Sequence, residues 1–407
     1  MNKETLDLLV VGGGAAGFFC AINYAEKNPG KKILILEAGT EPLSKVRISG
    51  GGRCNLTHAC WDPAELISNY PRGLKELLGP FHKFGPGDTV QWFEDRGVPL
   101  KVEEDGRMFP ASNRSQSIVD CFMKQLAVQS ISLKTRCRAL AFSWDEQSQL
   151  WTIQTEKQTF VSRQLFLAAG SDNRTWQFLK ENGHTIIDPV PSLFSFNLKD
   201  EELKKLMGLS VRSASLEVPE CGLTAEGPML ITHWGLSGPA VLRLSAWGAR
   251  ILFDRNYQFK LVINWTNQSP DEVQASLNAY KNAHGDRFVQ RHPLFDIPSR
   301  LWAYLLMRCR ISAEMKWSGI QRTQMEQLTQ MLCRQTLEVN GKTRFKEEFV
   351  TAGGVALDEV DMRRFKSRKL PHLYFAGEIL DIDAITGGFN FQAAWTGAWL
   401  AAMDMNG

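Results

Sequence analysis

The strongest constraint on what this chain can fold into is a glycine pattern that ends an apolar run near its N-terminus. Residues 6–11 are apolar apart from Asp7, as in a strand buried on both faces of a parallel sheet. Gly12-x-Gly14-x-x-Gly17 follows at once, Ala15–Lys27 has helical character, and a second apolar run, Ile33–Leu36, ends in Glu37, twenty residues after Gly17. This order predicts a βαβ unit that binds a dinucleotide. Gly12 permits the tight turn, Gly14 lets backbone approach a pyrophosphate, and Gly17 lets helix and strand pack closely. The helix start, with Gly13, Ala15 and Ala16, offers N–H groups and partial positive charge to the diphosphate. Glu37, followed by Ala38, would accept hydrogen bonds from an adenosine ribose and disfavour a 2′-phosphate; a solvated carboxylate at a strand end would look the same.

The other end of the chain carries a matching signal. A short apolar run at 373–376 leads into Gly377-Glu378, and a loop then passes Asp381, Asp383 and Thr386 to Gly387-Gly388-Phe389-Asn390. A helix is expected over about 391–403. The acid can hold ribityl hydroxyls, and the helix start can face the N1–C2=O edge of a flavin, where negative charge gathers on reduction. A domain for NAD alone has no need of this second element. The pair predicts one FAD bound between elements from both termini; a structural βα unit with a glycine turn is the alternative.

Three further segments are more specific: Ser49-Gly50-Gly51-Gly52-Arg53-Cys54-Asn55, Thr232-His233-Trp234-Gly235-Leu236-Ser237-Gly238-Pro239 and Thr351-Ala352-Gly353-Gly354-Val355. With 377–390 they resemble the BaiN/RdsA-type family of NAD(P)/FAD-dependent oxidoreductases, aminoacetone-oxidase-like flavoproteins, over nearly the whole chain. The resemblance implies an α/β fold: a discontinuous Rossmann-like FAD/NAD(P)-binding domain carrying an inserted β-barrel-like domain and a small helical domain. Placed on this sequence, these are 1–191 with 346–407, 192–264 with 335–345, and 265–334. Short strands after 192, one helix after Pro239, amphipathic spacing around Trp302, Leu305, Leu306 and Cys309, and strand character near Leu337 agree with that parse, with the nucleotide domain resuming near Phe349. One departure stands out. Ala169-Gly170 runs straight into Ser171-Asp172 and a helix, where similar proteins have a longer loop, and this bears on the substrate more than on FAD.

The activity implied by the resemblance is NAD(P)H-driven reduction of an activated carbon–carbon double bond, in a bile-acid intermediate or in a uracil base of ribosomal RNA. The cofactor carries the hydride, and the protein supplies position and a proton. No second Rossmann fingerprint is visible, so NADH or NADPH is expected to visit the flavin transiently. Candidate cofactor contacts, beyond those named, are Lys45, the 49–55 loop, Ala169 and Gly170. Arg53 would pair with the pyrophosphate or steady the reduced ring, or serve structure alone. Cys54 is a candidate acid or redox group, or a small buried thiol. His233 would donate a proton, orient substrate or satisfy a structural need; His58 is a further candidate. The histidines show no metal-ligand spacing.

Composition excludes little. The 407 residues carry a net charge of +3, and the eight cysteines show no close pairing, which fits a reducing compartment. The apolar run from Leu8 to Ile22 is broken by glycines and preceded by Glu4 and Asp7, and no stretch reaches the roughly 20 residues a bilayer needs, so the chain reads as cytoplasmic. From Lys281 to Arg322 there are eight basic residues against three acidic, with Trp302, Tyr304 and Trp317 interleaved. This is either an RNA-binding face or a solvated basic surface over core aromatics. Three functions therefore compete: a uracil reductase acting on ribosomal RNA, a reductase or dehydrogenase of a small apolar metabolite, and a non-catalytic FAD-binding interaction protein.

Overall fold

The computed structural model describes residues 4–343 and 350–406. The chain forms two compact units, one of residues 1–190 with 350–407 and one of residues 191–349. The expected domain change at 345–346 and the resumption near Phe349 lie outside the described residues.

The first unit is built on a nine-stranded sheet. Strand β1 (Thr5–Val11) lies between β2 (Ile33–Leu36) and the strand Thr159–Leu167, parallel to both. Ser132–Lys134 continues the parallel set beyond β2, and Leu373–Phe375 continues it beyond Thr159–Leu167. Leu8, Leu9 and Val10 are wholly buried, as expected for a central strand covered on both faces. Helix α1 (Ala15–Lys27) begins where expected and packs against the C-terminal helix Phe389–Asp404. Both are apolar nearly all round because both are interior, and Phe19 and Trp395 meet with ring centroids 5.2 Å apart. The C-terminal helix starts two residues earlier than the sequence pattern suggested. The expected antiparallel crossover is present as Ala139–Asp145, Leu150–Thr155 and Thr159–Leu167. Helix α2 (Ser44–Gly52) leads to a short strand, β3 (Thr57–His58), which joins Arg107–Pro110 and Leu100–Val102 in a separate three-stranded sheet.

The second unit is a closed six-stranded barrel. In order around it run Phe196–Leu198, Gly235–Ser237, Leu223–Ile231, Ser210–Val218, Gln258–Asn264 and Gln335–Lys342. Burial alternates strictly along residues 335–340, the period-two pattern of a strand with one face in a core. Helix Pro270–Ala283 opens on a reciprocal cap, with the Ser269 hydroxyl accepting from Glu272 N–H and Glu272 accepting from Ser269 N–H. It joins helices Ser299–Arg308 and Arg322–Arg334, and their buried faces share one apolar cluster with the barrel interior.

Trp302 and Trp317 are wholly buried in that cluster and Tyr304 is 5% exposed, so the aromatics interleaved with the basic run are core. Their spacing is the inner face of the helical segment, and they offer nothing for bases to stack on. The Tyr304 hydroxyl donates to Asp200 at 2.8 Å and accepts from Gln335, whose side-chain oxygen accepts from Trp265 Nε1. Among the described residues no helix is long and apolar enough to cross a membrane.

Candidate functional site

Strand register assembles the site. Val11 lies opposite Leu36 and Leu167, and Leu167 lies opposite Phe375. The segments that follow these residues therefore emerge side by side at one sheet edge: Gly12–Gly14, Glu37–Ala38, Ala168–Gly170 and Ala376–Glu378. This is the carboxyl edge, where ligands of such sheets bind. A recess of about 500 Å³ lies at the opposite edge, lined by Glu4, Lys31, Lys32 and Ser132 among others. It sits at the C-terminal end of α1, whose partial negative charge repels a diphosphate. The chemistry argues for the carboxyl edge.

The glycines at that edge serve different needs. Gly12 has φ +110°, and a Cβ there would overlap the Ala168 carbonyl. At Gly17 a Cβ would overlap the Gly12 carbonyl, which is the close helix–strand packing expected. Gly14 has φ −95°, open to any residue, and a Cβ there would meet nothing within 4 Å. Protein packing does not require glycine at 14. The space beside it is a cradle that a side chain would fill, in front of a helix start with no side-chain cap. A diphosphate suits that cradle in charge and in hydrogen-bond donors. Glu37 accepts from Gly13 N–H at 2.9 Å and Gly39 N–H at 2.6 Å, so its carboxylate is held at the end of β2.

The loop carrying Ser49-Gly50-Gly51-Gly52 turns sharply inside α2. Gly50 and Gly51 are left-handed, and so is Cys54, with φ +62°. Cys54 N–H closes the turn on the Ser49 carbonyl at 2.9 Å. The Cys54 thiol is wholly buried, and burial pushes it up to about 12, so it stays protonated at neutral pH. Arg53 donates to Glu103 at 2.6 Å and stacks over the Phe109 ring, 4.0 Å from its centroid.

The same loop is sewn to the C-terminal helix. With the Asn55 amide oriented to satisfy both neighbours, its oxygen accepts from Gly388 N–H at 3.1 Å and its nitrogen donates to the Thr57 carbonyl at 3.2 Å. Gly388, the residue that caps this helix, has φ +93°, and a Cβ there would lie 2.5 Å from the Thr57 carbonyl oxygen. Gln392 is wholly buried one turn further on, and its oxygen accepts from the Thr57 hydroxyl at 2.6 Å and the Thr89 hydroxyl at 2.9 Å. Trp395 Nε1 donates to the Leu56 carbonyl at 3.0 Å. His58 stacks on Phe389 at 4.6 Å, and its Nε2 meets the Asp105 carbonyl at 3.0 Å. Burial holds its imidazole below the ordinary value, with that carbonyl pulling the other way.

Two ion pairs close the site. Lys45 pairs with Glu378, 333 residues away, at the carboxyl edge. Arg72 forms a two-pronged pair with Asp383, whose side chain is wholly buried. Asn390 clasps Ala384 through both N–H and carbonyl, which shapes the loop through Thr386 and Gly387. Gly170 has φ +62° and faces Glu378, and the short segment after it ends in the Asp172 cap of helix Asn173–Glu181. His233 belongs to the second unit, exposed in the turn between two barrel strands and edge-on to Trp234 at 4.2 Å.

Arg72, Thr57, Gln392 and Glu103 were not singled out from the sequence. Arg72 and Asp383 become partners only through the fold, and the one available signal for Gln392 was a polar residue in an otherwise apolar helix.

A family model described as HI0933-like protein Rossmann domain matches residues 6–404. A ribosomal RNA dihydrouridine synthase of Escherichia coli (strain K12) is 28% identical, covering 99% of this chain and 98% of that protein. A 3-dehydro-bile acid delta(4,6)-reductase of Clostridium scindens is 27% identical, covering 96% of this chain and 97% of that one. Among solved structures, an open conformation of a flavocytochrome c3 fumarate reductase shares the fold with a TM-score of 0.51 at 16% identity, covering 98% of this chain and 78% of that one.

Proposed function

The chain belongs to the family of HI0933-like Rossmann-domain proteins, and from that premise we propose that it is an FAD-dependent oxidoreductase. In this reading it reduces an activated carbon–carbon double bond with electrons from NADH or NADPH, and its substrate is a uracil base in ribosomal RNA, reduced to dihydrouridine. The relatives named above support the chemistry, since a dihydrouridine synthase and a delta(4,6)-reductase both add hydrogen across a carbon–carbon double bond. The observation that carries the reading is the open cradle at Gly14, facing the same sheet edge as Gly377-Glu378.

FAD, when bound, supplies the two-electron carrier. Backbone N–H groups at the start of α1 hold the diphosphate, and Glu37 accepts from the adenosine ribose. Glu378, neutralised by Lys45, receives the ribityl hydroxyls. The C-terminal helix start, kept in place by Asn55 and Gln392, offers its N–H groups to the pyrimidine edge. Arg53, anchored on Glu103, would supply positive charge to the pyrophosphate or to the reduced ring. Cys54, held protonated, acts as a small buried packing group or a proton donor, and not as a nucleophile. His233 is the proposed proton donor from the barrel unit. The inserted unit is read as a β-rich and a helical part, and the protein as cytoplasmic, where this RNA is found.

Anaerobic titration of the holoprotein with NADH and NADPH, followed by addition of unmodified ribosomal RNA or of small cyclic enones, tests the proposal. Bleaching of the flavin band and its return on adding RNA, with dihydrouridine formed, is the expected result. Return with enones alone would favour the small-metabolite reading that the bile-acid relative supports. A flavin that neither nicotinamide reduces would leave a binding protein.

A further inference from the structure

We propose that the helical part of the second unit carries a phosphodiester-binding surface centred on Arg287, Arg291 and Lys316. The proposal deepens the reading of RNA as substrate and rests on it. Residues 287–289 and 315–317 form a two-stranded ribbon: Val289 N–H donates to the Met315 carbonyl and Trp317 N–H to the Arg287 carbonyl, each at 2.9 Å, and Phe288 bridges Lys316. Val289 and Trp317 point into the core. Phe288 and Lys316 therefore lie on the outer face, by strand alternation.

Two cations gather on one ring of that face. The Arg291 guanidinium lies 4.6 Å from the Phe288 centroid and the Lys316 ammonium 5.8 Å from it. Arg287 reaches the Tyr280 hydroxyl at 3.4 Å, and Tyr280 packs on Trp317. All three cations are exposed, and none forms an ion pair among the described residues, although Asp286 and Glu314 are near in sequence. Lys204, Lys205 and Arg322 of the same unit are, by contrast, paired with Glu201, Glu202 and Glu326. Like charges held around one ring repel, and an anion that spans them relieves that repulsion. A chain of phosphates does so at several points at once. With Trp302, Tyr304 and Trp317 interior and the Phe288 ring flanked by Arg291 and Lys316, the surface is expected to hold backbone without reading bases.

The test uses full-length holoprotein and fluorescence anisotropy of a labelled ribosomal RNA fragment and of a scrambled RNA of equal length, over a salt series. Arg287→Gln/Arg291→Gln/Lys316→Gln is compared with Lys204→Gln/Lys205→Gln/Arg322→Gln, which removes the same charge from matched pairs. Each lost phosphate contact lowers the log–log salt slope by about 0.7–0.9, so the first variant is expected to lose about 2 and bind at least tenfold more weakly at 0.1 M salt. Fragment and scramble are expected to lose affinity alike, with flavin content and nicotinamide reduction unchanged. Equal losses in both triple variants, or an unchanged slope in the first, would overturn the surface while leaving RNA as substrate. Displacement of RNA by polyglutamate of equal charge and affinity would overturn it in favour of an acidic protein partner. Failure of the wild type to bind RNA would instead remove the reading beneath it.

Discussion

Helix α1 and the C-terminal helix both start from glycine, without a side-chain cap, yet the surroundings of Gly14 and Gly388 differ in kind. Gly388 has φ +93° and the Thr57 carbonyl against it, so the chain's own atoms require glycine there. Gly14 has ordinary backbone angles and open space, so nothing in the protein requires it. One helix start is locked by a network of Asn55, Thr57, Thr89 and Gln392; the other is held by packing behind it and left bare in front. A glycine that folding does not need, placed at a helix start on the ligand-binding edge of a sheet, marks where another molecule's atoms come closest. A glycine motif read as one signal merges these two causes.

The comparison breaks most visibly at Gly388→Ala. Left-handed strain of about 1–3 kcal/mol adds to the clash with Thr57, and a loss of about 3 kcal/mol or more in denaturant stability is expected. An unchanged midpoint would mean that this helix start is as open as the other. Next comes Gln392→Leu, which leaves the Thr57 hydroxyl buried without its acceptor and is expected to lower stability by about 1–3 kcal/mol. Flavin bound to that variant should show a shifted visible spectrum, because the helix start proposed to face it would loosen. A loss of stability with an identical spectrum would confine Gln392 to packing.

The fold was legible where interactions are local. The bounds of α1 and β2 coincide with the apolar pattern, because glycine turn, helix and strand are specified within a few residues. Lys45 was named as a site residue, but its pairing with Glu378, like that of Arg72 with Asp383, joins segments more than 300 residues apart and is written in no local pattern. The basic run around Trp302 was ambiguous for a different reason. Composition gives charges and aromatics together, and only the packing separates Trp302 and Trp317 inside from Arg291 and Lys316 outside. His233 was drawn from a motif, which carries no information on where its turn lies.

Smaller effects sharpen the contrast. Glu37→Gln leaves one oxygen to serve both Gly13 N–H and Gly39 N–H, and about 1 kcal/mol of stability with roughly tenfold weaker FAD binding is expected by calorimetry. Calorimetry showing wild-type affinity would remove Glu37 from the adenosine end. The smallest effect is one of pH. Burial depresses the folded value of His58, so the unfolded chain takes up the proton first, and the contribution is present above the ordinary histidine range and lost as pH falls below it. His184 and His372 are depressed in the same direction. His58→Gln should therefore reduce, without abolishing, the drop in melting temperature between pH 7.5 and 5.5. A larger drop would mean that the imidazole is stabilised charged, and the Phe389 end would need a different account.

Whether a diphosphate sits against the start of α1 is decided at Gly14. Gly14→Val, purified beside the wild type, is to be assayed for bound flavin per chain and for melting temperature after flavin removal. Colourless protein is expected, with an apo form that melts within a few degrees of wild-type apoprotein, since only a bound diphosphate needs that space. Stoichiometric flavin in the variant, or an apo form that no longer folds, would contradict that placement.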